Sequence, residues 1–395
     1  MIYFELLESA PIHLRNWFLC LLTSFGVPHW VTTPLSMVMS IGVIIAVFLT
    51  LFAAASIFER KILARMQNRY GPNRVGPCGL FQPIADGIKM ITKEDIVPRG
   101  ADKIVHFLAP VVMVAPALFV LAILPYGRGM APIELQSGIL FFFAVGAGTE
   151  LAVFMAGWAS NNKYSVMGAM RAIAQMISYE LPLVMAAIVV AMIAGTLSPT
   201  GIVEAQSGNL LHWYVMTPWG FVAFVLFYLG ALAESNRSPF DLPEGESELV
   251  AGHLTEYSGF KYATFFMAEY VGMFAICGLT VTLFLGGWQA PLPFLTIIPS
   301  WVWFFGKICF VSFTMIWIRA TLPRIRIDQM LSFAWKFMLP MSFAAFIGAA
   351  CWHYAGRGIL GWLLSLAIVG LPYLLLGSFF SRRYSAANRS YLFSE

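Results

Sequence analysis

Charge is scarce in this chain. Asp, Glu, Lys and Arg together make up 11% of its 395 residues, against 59% hydrophobic residues. A soluble domain carries about 25% charged residues, so this balance, with a mean hydropathy of +0.77, reads as a polytopic membrane protein. Cysteine is scarce too. Cys20, Cys78, Cys277, Cys309 and Cys351 are scattered without a C-x-x-C pair, which speaks against disulfides, zinc and iron–sulfur ligation by this chain alone. The six histidines are dispersed, and no two share a helix face at i, i+4, so no metal site is expected. There is no Walker loop and no G-x-G-x-x-G; GPNRVGPCG lacks the GK[ST] ending and reads as turns. A formal charge of +4 without a basic run gives no sign of nucleic acid. No nucleotide or redox-cofactor site is legible.

What is present is a series of long apolar runs. They predict an all-α, polytopic transmembrane bundle of about nine spans, near 34–58, 104–125, 138–159, 173–197, 218–234, 263–287, 298–320, 336–355 and 360–380. Residues 1–33 lack the basic start and small-x-small site of a cleaved signal; Ile12, Leu14, Trp17, Phe18, Leu21 and Leu22 read as an interfacial amphipathic segment. Residues 34–380 are expected to form one transmembrane domain, and 381–395 a cytoplasmic tail. Basic residues set the orientation. The loops 59–103, 160–172, 235–262 and 319–336 hold nine, two, two and four, and the tail three; the opposite side holds only Arg15, Arg128 and Arg357. That asymmetry predicts the N-terminus outside and the C-terminus in the cytoplasm.

Two inner loops stand out. In the first, Leu80, Ile84, Ile88 and Ile91 recur at helical spacing with Asp86, Lys89 and Lys93 off the stripe, which predicts an amphipathic helix lying along the membrane surface. In the second, AESNRSPFDLPEGESELVAGHLTEY (233–257), six acids (Glu234, Asp241, Glu244, Glu246, Glu248, Glu256) face one base, Arg237. Asp241 and Glu244 have capping-box spacing with Pro243 in the first turn, and a helix from there stacks Asp241, Glu244 and Glu248 on one face. Four glutamates, Glu150, Glu180, Glu234 and Glu269, fall in predicted spans, with Lys307 the only base placed comparably. Mutual pairing cannot neutralise them all, so some must be protonated or hydrated. Single buried glutamates are often structural; four in one bundle beside an acidic loop fit a proton relay better. The aromatics read as lipid-facing bulk and interfacial belts. Arg319, Arg324, Arg326, Asp328 and Lys336 form a basic cluster that serves as an inner anchor or a clamp on carboxylates.

Taken together, ERKILARMQNRYGPNRVGPCGLFQPIADGIKMITKED, SNNKYSVMGAMRAIAQMISYE, LAESNRSPFDLPEGESELVAGHLTEYSG, FFMAEY and RATLPRIRIDQMLSFAWK, from about 59 to 339, resemble the H-subunit family of proton-pumping NADH:quinone oxidoreductase (complex I; NADH dehydrogenase subunit one in mitochondria). The resemblance implies a subunit of a translocase in the bacterial inner membrane or its organelle equivalent. Its implied partners are the other membrane and hydrophilic-arm subunits, lipid, and quinone as substrate, with no metal or cluster of its own. It implies that Glu59, Arg60, Arg69, Asp86, Arg237, Arg319, Arg324 and Arg326 line or support a quinone cavity. It implies that Glu180, Glu234, Asp241, Glu244, Glu246, Glu248, Glu256 and Glu269 form an acidic path into the membrane. The residues alone reach only a multi-span bundle with an acidic path facing the cytoplasm. A secondary cation/proton transporter fits that too, although no repeat or paired broken helices are visible. The related membrane subunit of energy-converting hydrogenases, which has no quinone, is a nearer rival that the full first inner loop disfavours.

Overall fold

The computed structural model describes residues 29–242, 245, 249–356 and 358–385, together with Trp17, Cys20 and Ser24. Most of the expected interfacial segment, Glu244, Glu246, Glu248 and the end of the tail lie outside the described residues; of the helix expected from Asp241, the described residues Asp241, Leu242 and Gly245 are not helical. Among the described residues, thirteen α-helices follow in chain order: α1 His29–Met66, α2 Gln82–Thr92, α3 Lys103–Leu121, α4 Gly138–Gly146, α5 Gly148–Ala159, α6 Lys163–Ala194, α7 Pro199–Ala205, α8 Pro218–Glu234, α9 Gly259–Phe284, α10 Ser300–Thr321, α11 Ile327–Phe333, α12 Leu339–Tyr354 and α13 Ile359–Ser385. The described residues contain no strand. Among the described residues, eight helical stretches are long and apolar enough to cross a membrane; α8, at 17 residues, is shorter. The chain is a polytopic helical membrane protein.

Local chemistry sets the helix ends. Asp102 caps α3 by accepting from the N–H groups of Ile104 and Val105, Asn162 caps α6 from Tyr164 N–H, and Thr217 caps α8 from Gly220 N–H. Each satisfies donors that the first helical turn leaves unpaired. Gly220 has no alternative at its position, because a Cβ there would lie 1.9 Å from the Tyr214 carbonyl oxygen.

The helices outrun the apolar segments read from sequence. The first span continues as one helix to Met66, so Glu59 and Arg60 sit on α1, not in a loop. The fourth begins at Lys163 and absorbs most of the expected 160–172 loop. The 319–336 loop shrinks to the residues between Thr321 and Ile327. Helices project past the roughly 30 Å of hydrocarbon when their polar ends are also helix formers. At 138–159 the expected span is present as one 22-residue apolar stretch, Gly138–Ala159, in which Gly146-Ala147-Gly148 marks a local break between α4 and α5. No proline marks that break, and paired glycines suffice.

α9 and α6 form the centre, 78% and 61% buried over their most apolar windows, whereas α1 and α13 are peripheral. α6 packs on α8, α5 and α12, and α9 packs on α3 and α10. At one end of the bundle the polar connections are tied together. Lys261 Nζ lies 2.8 Å from Asp95, Ile96 N–H donates to Ser258 Oγ, and Ile325 N–H donates to the Pro239 carbonyl.

Candidate functional site

Where α1, α9 and α10 meet this end of the bundle, Arg237 extends from the turn after α8. Its Nη1 lies 2.7 Å from Glu59 Oε1, its Nε 3.5 Å from Glu269 Oε1, and its guanidinium sits 4.2 Å from the Tyr270 ring centre. Tyr270 donates its hydroxyl hydrogen to Glu59 Oε2 at 2.7 Å, and Arg319 also pairs with Glu59 Oε1. Glu59 and Arg237 are buried, each with a side chain 4% exposed. Two carboxylates and two guanidiniums therefore close a neutral cluster, the arrangement that buried charge demands. Residues 59, 237, 269 and 319 come from four separate segments.

Two ion pairs flank it. Arg60, one residue along α1, reaches Asp86 on α2 at 2.7 Å, with Gln82 and Lys89 also contacting that carboxylate. Burial raises the Asp86 pKa, but the Arg60 hydrogen bond and charge outweigh it and hold the group below its ordinary value. Arg324 lies 3.0 Å from Asp241. Here burial wins, and the Asp241 carboxyl is pushed up despite the charges of Arg324, Arg319 and Arg237. Arg69 is exposed and bonded to Gln67, and Arg326 is exposed just ahead of α11. The apolar stripe of α2 is also exposed at Ile84, Ile88 and Ile91, as the sequence periodicity predicts.

Behind the cluster runs a narrow cavity of about 80 Å³ lined by Glu180, Glu234 and Glu269 and by the glycine break, with Gly146 and Ala147 in its wall. At roughly 10–15 Å³ per water position it has room for a short file of water but not for a quinone ring. Glu269 thus belongs to both the charged cluster and the cavity. Glu150, in the first turn of α5, buries one carboxyl oxygen without a hydrogen-bond partner among the described residues and is not part of the cavity lining. Gln175 holds the far wall by donating to the Ala233 carbonyl at 2.8 Å and to Asn236 at 3.3 Å.

Glu256 does not line this cavity. It accepts from Asn162 at 2.7 Å, beside Tyr257, which stacks on His106 with ring centres 4.1 Å apart. His253 is buried against Phe265, and desolvation lowers its pKa to about 4. Lys307, the base that sequence places among the glutamates, meets none of them. Its ammonium donates to the carbonyls of Leu285, Gly287 and Gln289 at 2.7 to 2.9 Å and lies 4.1 Å from the Trp213 ring centre. Those carbonyls follow the C-terminus of α9, where a cation is favoured. Of those four glutamates, Arg237 pairs with Glu269. Tyr270 and Gln175 are missing from the sequence-derived set; Tyr270 is adjacent to Glu269 in FFMAEY, and nothing in the sequence marks Gln175.

Similarity to known proteins decides the family. A family model described as NADH dehydrogenase matches residues 39–350. This chain belongs to the NADH dehydrogenase family. Its relatives include proteins named as the H subunit of NADH-quinone oxidoreductase. The one from Brevibacillus brevis is 47% identical over 315 residues, covering 80% of this chain and 92% of the relative. Those from Geobacillus kaustophilus and Bacillus thuringiensis subsp. konkukian are 47% identical over 302 residues and 50% over 287. They cover 76% and 72% of this chain, and 89% and 84% of the relatives. The NADH dehydrogenase match spans every residue of the cluster and the cavity and stops before α13. Among the described residues no group of His, Cys, Asp and Glu is arranged to hold a metal ion.

Proposed function

We propose that this chain is the membrane subunit of a proton-translocating NADH:quinone oxidoreductase. In this reading it builds the membrane side of the quinone cavity and the carboxyl path that couples quinone reduction to proton movement. The observation that carries the reading is Glu269, which joins the buried Glu59–Arg237–Arg319 cluster to the cavity containing Glu180 and Glu234. Arg60, Asp86 and the exposed apolar face of α2 supply the gradient a quinone needs, oily for its tail and polar for its head. Quinone reduction takes up protons and places transient negative charge at the cavity. Asp241, held by Arg324 and sensitive to nearby charge, is where that change would first be felt. Through Arg237 it would then bear on Glu269 and the cavity beyond. The polar end of the bundle faces the cytoplasm and docks the soluble subunits that bring electrons; lipid surrounds the rest.

Alanine at Arg60 or Asp86 in the assembled complex tests the quinone part. Arg60 is exposed and Asp86 half-buried, with side chains 51% and 23% accessible, so loss of the pair costs about 1 kcal/mol of stability. Quinone turnover should fall on the order of tenfold, the loss of one charge-assisted contact, while electron transfer to an artificial acceptor upstream persists. Equal loss of both activities points to failed assembly and against a role in quinone handling.

A further inference from the structure

A second cavity, of about 660 Å³, opens on the flank of the bundle between α8, the π-helical turn Ala334–Met338 and α13. Among the described residues, no charged side chain lines it. One wall follows α8 from Pro218 to Leu229, and the opposite wall follows α13 from Trp362 to Tyr373. Phe337 and Tyr373 meet edge to face, 6.1 Å between ring centres, and close its deep end. Gly370 contributes to the gap directly, because a Cβ there meets no atom within 4 Å. α13 lies beyond the residues matched by the family model.

The dimensions select the occupant. Each wall is about 16 Å long at 1.5 Å per residue. That is the depth of one leaflet, about half of the ~30 Å hydrocarbon layer. A transmembrane helix from a partner needs the full ~30 Å, about twice the length of these walls. We infer that the groove binds one phospholipid, with its acyl chains lying between α8 and α13 in the leaflet next to the Tyr214–Met216 turn. The site is independent of the quinone reading, since it shares no residue with the charged cluster or the carboxyl cavity.

The test uses the assembled complex in nanodiscs doped with a phospholipid bearing a photoactivatable diazirine on its acyl chain, followed by peptide mass spectrometry. Label should concentrate on the peptides containing 218–229 and 362–373. Gly370→Leu, which fills open space without a clash, should cut that labelling at least about fivefold, a loss of about 1 kcal/mol of binding. Val225→Phe, filling the groove from the opposite wall, should do the same, so the test stands if one variant fails to assemble. Label that is unchanged in the variants that assemble overturns the inference. So does preferential capture of a quinone carrying the diazirine on its isoprenoid tail, or a cross-link from these peptides to another subunit.

Discussion

Arg237→Met removes the guanidinium that Glu59 and Glu269 share. Arg237 lies 2.7 Å from the first carboxylate and 3.5 Å from the second. With an effective dielectric of about 20, each attraction is worth about 5 kcal/mol, against a desolvation cost of several kcal/mol per ion. The difference that reaches experiment is the cost of leaving a buried charge uncompensated, about 3–5 kcal/mol. Glu59 keeps Arg319, so most of the excess negative charge falls on Glu269. Adding Glu269→Gln to Arg237→Met should therefore restore about 1–3 kcal/mol, a coupling typical of groups in contact. Thermal melting of the purified complex, with quinone reductase activity alongside, gives all four corners of the double-mutant cycle. If the two substitutions add within about 0.5 kcal/mol, the residues do not share a charge and the cluster is misread.

Two further substitutions probe the packing around the site. His253 is pushed down to about 4, so its contribution to stability is complete above the unfolded value of about 6.5 and is lost as pH falls from there toward 4. At about pH 5 this amounts to about 2 kcal/mol; His253→Phe should flatten the melting temperature between about pH 6.5 and 5, and an unchanged acid sensitivity would contradict the assignment. Lys307→Met strips three carbonyls of their donor and should cost at least about 3 kcal/mol, lowering the melting temperature while KM for quinone stays put. A raised KM without a stability loss would place Lys307 in substrate handling instead.

The bundle itself was legible because membrane spans announce themselves in local composition, and the period of Ile84, Ile88 and Ile91 marked α2 equally well. The partners of the charged residues were not. Glu59 and Arg237 are 178 positions apart and Glu59 and Arg319 are 260; sequence spacing carries no information on which segments meet. Counting charges located the excess of membrane glutamates correctly, yet credited Lys307 as their comparable base when its three donors are consumed by the end of α9. The Gly146-Ala147-Gly148 break escaped because glycine is common in transmembrane helices and only packing decides where two of them interrupt one. Tyr270 lay in plain view beside Glu269, but a tyrosine in an apolar run reads as bulk until an acceptor is seen at its hydroxyl.

Glu234 and Glu180, facing one cavity with Glu269, bear the weight of the coupling claim. The direct measurement is the infrared difference spectrum of the assembled complex on quinone reduction, recorded for wild type, Glu180→Gln and Glu234→Gln, with proton pumping assayed in the same preparations. Gln keeps size and hydrogen bonding and removes titration. The expected result is a set of protonated-carboxyl bands in the wild type, the loss or shift of a component in each variant, and impaired pumping with slowed quinone reduction. Bands, pumping and turnover all matching wild type in both variants would make these glutamates structural and the path a different one.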